Sequence, residues 1–145
     1  GEEIDQRAGK RLQQLHNILR DLPGHLGSEW AEDTKKSITE HRYAFTTQVH
    51  GTDSAIGIEY YWWGEDGSSP LWLRIETGDP ARCQQAVQAL KPEIRAFPDM
   101  PSDRSDLLAP LALELGAERP DVLKHLASQL NTIADRLAPV LNDND

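Results

Sequence analysis

The chain holds little of what staples, spans or grips charged polymers. It has one cysteine, Cys83, in 145 residues, so no internal disulfide forms and no thiolate cage holds a metal. Its setting, "DPARCQQAVQAL", predicts a thiol packed inside a helix. Apolar runs never exceed a few residues, which excludes a membrane-spanning helix. The first ten residues, "GEEIDQRAGK", lack the apolar core of a signal peptide, so a cytoplasmic protein is expected. Lys and Arg number 15 against 24 Asp and Glu, a net charge of −9. That deficit is spread along the chain, about −1 over residues 1–36, −4 over 37–78 and −4 over the remainder. With no basic cluster to displace counterions, binding to duplex nucleic acid is not expected. Acidity of this kind serves solubility and suits a basic protein surface.

Catalytic patterns are also missing. No glycine-rich phosphate loop and no strained serine elbow occurs. The five histidines are His16, His25, His41, His50 and His125. His41 and His50 flank one expected strand nine residues apart, about 30 Å if the strand is straight, and so cannot share a metal. His16 and His125 have Arg20 and Gln129 one helical turn on, so neither helix carries a ligand pair. One weak pattern remains, of the kind in which two carboxylates hold a hard cation beside a lysine. "EDTK" supplies Asp33 and Lys35, while "FPDMP" and "RPDVL" supply Asp99 and Asp121. Both PD pairs follow the DxK, the reverse of the usual order. No catalytic residue, metal ligand or cofactor is therefore expected.

What is present is clear periodicity. Residues 4–22 repeat Ile4, Ala8, Leu12, Leu15, Leu19 and Leu22 at helical spacing, with Asp5 as cap and "LPGHLG" as terminator. Residues 28–36, "SEWAEDTKK", read as a further helical turn or two. The period then changes to two. Tyr43, Phe45, Thr47 and Val49 predict a strand, "GTDS" at 51–54 a turn, "AIGIEYYWW" a second strand, "GEDGSSP" at 64–70 a turn, and "LWLRIET" a third strand. Asp79 and Pro80 start a helix bearing Ala86, Val87, Leu90, Ile94 and Phe97, which Pro92 kinks or splits. After a polar loop at 97–106, "LLAPLALELG" predicts a fourth strand with Leu111, Leu113 and Leu115 on one face. From Pro120, the stripe Val122, Leu126, Leu130, Ile133 and Leu137 marks the clearest helix. The pattern is that of one α+β domain over 1–145, an antiparallel meander of three to four strands packed on N-terminal, middle and C-terminal helices.

Residues 57–76, "GIEYYWWGEDGSSPLWLRIE", hold five of the nine aromatic residues. Alternation puts Ile56, Ile58, Tyr60 and Trp62 on one strand face with Leu71, Leu73 and Ile75, and Tyr61, Trp63, Trp72 and Arg74 on the other. Matching apolar positions sets Trp62 beside Leu73, Tyr60 beside Ile75, Trp63 beside Trp72 and Tyr61 beside Arg74. The first set is core. The second, Tyr61, Trp63, Trp72 and Arg74, is either covered by a helix or is a partner-binding patch, since Trp, Tyr and Arg dominate interface energies. Nearby Glu59, Glu65, Asp66 and Glu76 disfavour single-stranded nucleic acid there.

The stretch "IGIEYYWW…SPLWLRI", followed by a helix and "LAPLALELGAERPDVLKHLASQLNTIADRL", resembles the C-terminal part of bacterial PD-(D/E)xK nuclease-family proteins, many associated with phage defence. The resemblance covers residues ~40–142. In that family the catalytic acids and lysine lie upstream of such a region, so no catalytic residue is carried over. It implies a non-catalytic accessory or protein-interaction domain, whose partner is another protein or a parent catalytic domain. Two alternatives stand beside it: a partial or degenerate nuclease, and an acidic inhibitor, immunity protein or DNA mimic. The last would present Asp99, Asp103 and Asp106 in a row, although these residues are expected to solvate a loop. An open aromatic face or unpaired sheet edge equally suits a second copy, a homodimer.

Overall fold

The structure, a computed structural model, describes residues 8–39, 42–59, 69–99, 105–114 and 116–142. Its elements in order are helix α1 (Ala8–Asp21), a 3-10 turn (Leu22–His25), strands β1 (Lys35–Ile38), β2 (Arg42–Val49), β3 (Thr52–Glu59) and β4 (Leu71–Ile75), helix α2 (Pro80–Leu90), strands β5 (Phe97–Pro98) and β6 (Leu107–Pro110), and helix α3 (Arg119–Leu141). The strands make one antiparallel sheet in the order β1-β2-β3-β4-β6-β5. The class is α+β as expected, with a larger sheet than the sequence predicts. No described helix is long and apolar enough to cross a membrane.

The expected stripe of α3 is buried, and in α1 Leu15, Leu19 and Leu22 are buried with Leu12 half-buried, while Ile4 and the cap Asp5 lie outside the described residues. Leu15, Leu19 and Leu22, and then Val122, Leu126, Leu130, Ile133 and Leu137, join Phe45, Val49, Ile56, Ile58, Leu71, Leu73 and Ile75 in one apolar cluster. Asp79 caps α2 by accepting from Arg82 N at 2.8 Å, with Pro80 in its first turn. Cys83 lies inside that cluster. Burial raises its thiol pKa, a hydrogen bond with Thr77 lowers it, and the charges of Asp106 and Asp79 raise it again.

Several expectations are corrected. Residues 28–36 are not helical. Trp30 bridges to Val49, Ala31 N donates to Gln48 O at 2.8 Å, and the chain runs on into β1 beside β2. The unpaired backbone of β2 has claimed a partner, and tertiary pairing has overridden local helix propensity. Helix α2 ends at Leu90, because Pro92 cannot continue the backbone ladder, and Phe97 sits in β5 instead.

The hairpin turn between β2 and β3 is His50–Gly51 alone. Both residues have positive φ, 49° and 76°, and Val49 pairs directly with Thr52. His50 tolerates this backbone while its ring is held from both sides. Its Nε2 lies 2.7 Å from Ala134 O, and Asn142 Nδ2 lies 3.3 Å from its Nδ1. A neutral ring protonated on Nε2 satisfies both contacts.

The β3–β4 register is also corrected. Leu73 faces Ile56, six residues before Trp62, and Trp72 faces Gly57 rather than Trp63. The division into two faces survives, because an even shift preserves it. Strand β6 stops at Pro110. Beyond it the side-chain amide of Gln129 accepts from Ala112 N at 2.8 Å and donates to Ala112 O at 2.9 Å, closing that stretch as a neighbouring strand would. Leu111 is buried and Leu113 half-buried, while Leu115 lies outside the described residues.

Candidate functional site

The apolar cluster that unites the three helices with the sheet leaves out four buried hydrophobic residues, Ala44, Ala55, Trp72 and Leu108. These share the opposite face, as the registers Ala44↔Gly57↔Trp72 and Ala55↔Arg74↔Leu108 require. The helices thus pack on one side, and the second side is built differently along its width.

At the β4–β6–β5 end it is closed. Trp72, only 5% exposed, meets the Phe97 ring edge-on at 5.6 Å, and the Arg95 guanidinium lies 5.7 Å from the centre of that ring. Arg74 Nη1 donates to Asp99 Oδ2 at 2.5 Å and to Asp106 Oδ2 at 3.2 Å, with the side chains of Arg74 and Asp106 20% and 9% exposed. Ser105, at φ 53°, gives its carbonyl to Thr77 Oγ1 at 2.7 Å and so helps set Asp106 in place.

Toward β1–β3 the same face opens into a groove of about 780 Å³. Asp33, Lys35, Arg42, Asp53, Arg74 and Glu76 line it, so both signs of charge are present. Gln48 Nε2 donates to Asp53 Oδ1 at 2.9 Å along one wall.

Of the expected patch, Trp72 and Arg74 occupy this face, Trp72 beneath the surface and Arg74 between the closed part and the groove. Tyr61 and Trp63 lie outside the described residues, as do Tyr60 and Trp62. Arg74 stands opposite Ala55 rather than beside Tyr61, and its charge is met by two aspartates. Asp99 and Asp106 are therefore not free loop acids, and Asp103 lies outside the described residues. Asp33 and Lys35 do share the groove, but Asp99 is engaged by Arg74 and Asp121 stands on α3. Among the described residues no three His, Cys, Asp or Glu side chains come together as a metal site. His25 and His125 are exposed. His16 stacks on Tyr43 with ring centres 4.1 Å apart, and burial lowers its pKa below 6.5. His41 lies outside the described residues.

Replacing Arg74 with Met is expected to lower stability by about 1.5–3 kcal/mol, because Asp106 then stays buried without its countercharge. Adding Asp106→Asn to that variant should restore part of the loss in urea unfolding. A cost below about 0.5 kcal/mol, the range of an ordinary surface change, would show that the cluster contributes little.

The groove is not legible in the sequence because residues 28–36 read as helical, and the Arg74 cluster is not because Asp99 and Asp106 lie 25 and 32 residues away. Comparison with protein-family models, with curated proteins and with solved structures finds no match for this chain.

Proposed function

We propose that this chain is a non-catalytic accessory domain that binds a protein partner through the helix-free face of its sheet. The observation that supports this most directly is the grooved second face, with its helices all packed on the other side. A folded sheet with one face committed to the core and the β1–β3 part of the other open among the described residues suits a surface that a partner completes. Mixed charge along the groove fits a protein surface better than a phosphate backbone, which requires a predominance of Lys and Arg. Tyr61 and Trp63 belong to the proposed contact on their sequence, Arg74 at the groove wall, and Trp72 as support beneath it. The bacterial, phage-defence and nuclease-associated setting rests on the sequence resemblance alone.

The test is capture of partners on the immobilised chain, beside a Tyr61→Ala/Trp63→Ala variant and a Glu76→Lys variant, each checked for folding by circular dichroism. A partner retained by the native chain and lost from both folded variants is expected. The reading fails if every captured partner ignores both variants, or if the purified chain cleaves DNA or RNA with a divalent ion and Asp33→Ala abolishes the cleavage. The latter would favour a partial nuclease.

A further inference from the structure

The two edges of the sheet are finished differently. At one edge, β5 contributes only two residues, Pro98 and Pro110 each lack a backbone N–H, and Gln129 occupies the amide and carbonyl of Ala112. At the other edge, β1 ends the sheet. Thr39 and Arg42 exchange backbone hydrogen bonds, N to O at 2.8 Å and 3.5 Å. Antiparallel pairs alternate between bonded and non-bonded, so Ser37 and Lys35 also bond to β2, and the N–H and C=O of Lys36 and Ile38 point outward. No backbone group among the described residues takes them.

The side chains along this edge agree. Ile38, 64% exposed, is the exposed large hydrophobic residue of the described chain. Lys35 and Lys36 are exposed, and no carboxylate among the described residues lies within ion-pair reach of either. In a chain of net charge −9, the edge strand itself carries two adjacent positive charges and no acid, the nearest acids before it in sequence being Glu32 and Asp33. Self-pairing would set four lysines on one short ladder, the arrangement by which natural edges repel their own copies.

We infer that β1 is a docking edge for an extended acidic segment of a partner protein, which adds to the sheet as a seventh strand through Lys36 and Ile38. Backbone bonds supply the attachment, and the side chains supply the selection. Lys36 and Ile38 share one sheet face, while Lys35 lies on the other. An antiparallel segment therefore carries an apolar residue opposite Ile38, an acid two positions on opposite Lys36, and a second acid at the next position opposite Lys35. The inference stands apart from the groove, since it uses the edge of the sheet and not its face.

The probe is a fluorescein-labelled hexapeptide, threonine-valine-threonine-glutamate-glutamate-threonine, read by anisotropy. A version with lysines in place of the glutamates, and one with proline in place of the valine, whose N–H is the one that meets Ile38, are the controls. Binding is expected for the first alone, weakening with salt, with new hydrogen-exchange protection at the Lys36 and Ile38 amides. Lys36→Glu should weaken it about tenfold or more. Ile38→Pro should do the same while leaving the fold intact, because the lost N–H is one that β2 does not use. If Ile38→Pro unfolds the chain, Lys36→Glu and the exchange pattern decide. Absent binding, equal binding of the lysine or proline peptide, or indifference to Lys36→Glu would overturn the inference. So would self-association that Lys36→Glu strengthens, which would make a second copy the occupant.

Discussion

Gly57→Ala is expected to cost about 3 kcal/mol or more, the upper end for overfilling a packed site. The residue sits mid-strand in β3, between Ala44 of β2 and Trp72 of β4. A methyl group there would lie 2.3 Å from Tyr43 O, 2.4 Å from Ala44 Cβ and 2.5 Å from Ala44 Cα. Opposed Cβ atoms in a sheet ordinarily stand about 4.5–5.5 Å apart, so the collision is severe. None of the three atoms belongs to a side chain that rotates away, so the β2–β3 ladder itself must shift. For a chain of this size the melting temperature should fall by about 6–12 °C. Ala44→Gly in the same chain removes the Cβ contact but not the carbonyl contact, so it should rescue only part. A single-variant loss under about 1 kcal/mol, a typical point-mutant cost, would mean that the two strands separate easily.

Leu73→Ala is expected to cost about 3–5 kcal/mol. Leu73 is fully buried on the helix side of β4, between Ile56 and Ala109 in the register. Truncation removes its packing and leaves a void that the flanking strands, tied on both sides, cannot close. Leu73→Met, which nearly keeps the volume, should cost less than about 1.5 kcal/mol. Urea unfolding with an unchanged slope would assign the difference to the folded core. Equal costs for the two substitutions would show that shape, and not volume, is what the site demands.

These two residues illustrate what the sequence made legible. Alternation alone places Leu73 in the core, and the stripe of α3 and the Asp79–Pro80 start of α2 are equally plain. Register was not. Apolar matching with a period of two is satisfied whether Leu73 faces Ile56 or Trp62, and only the length of the connection chooses. Gly57 was present in the same quoted strand, yet its meaning depends on how near Ala44 comes. Strand β1 escaped notice because Lys-Lys-Ser-Ile has no buried face to alternate. It is a strand because β2 needed hydrogen bonds along its outer side. The groove draws Asp33, Arg42, Asp53 and Glu76 from separate segments, and no local pattern announces such convergence.

The ring contacts of His50 bear on the order in which the molecule can be completed. The β2–β3 hairpin closes over neighbouring residues and can form early, but the groups that hold its tip, Ala134 and Asn142, follow 84 and 92 residues later. During synthesis the hairpin therefore exists for a time without its latch, and the last helix sets it as that helix docks.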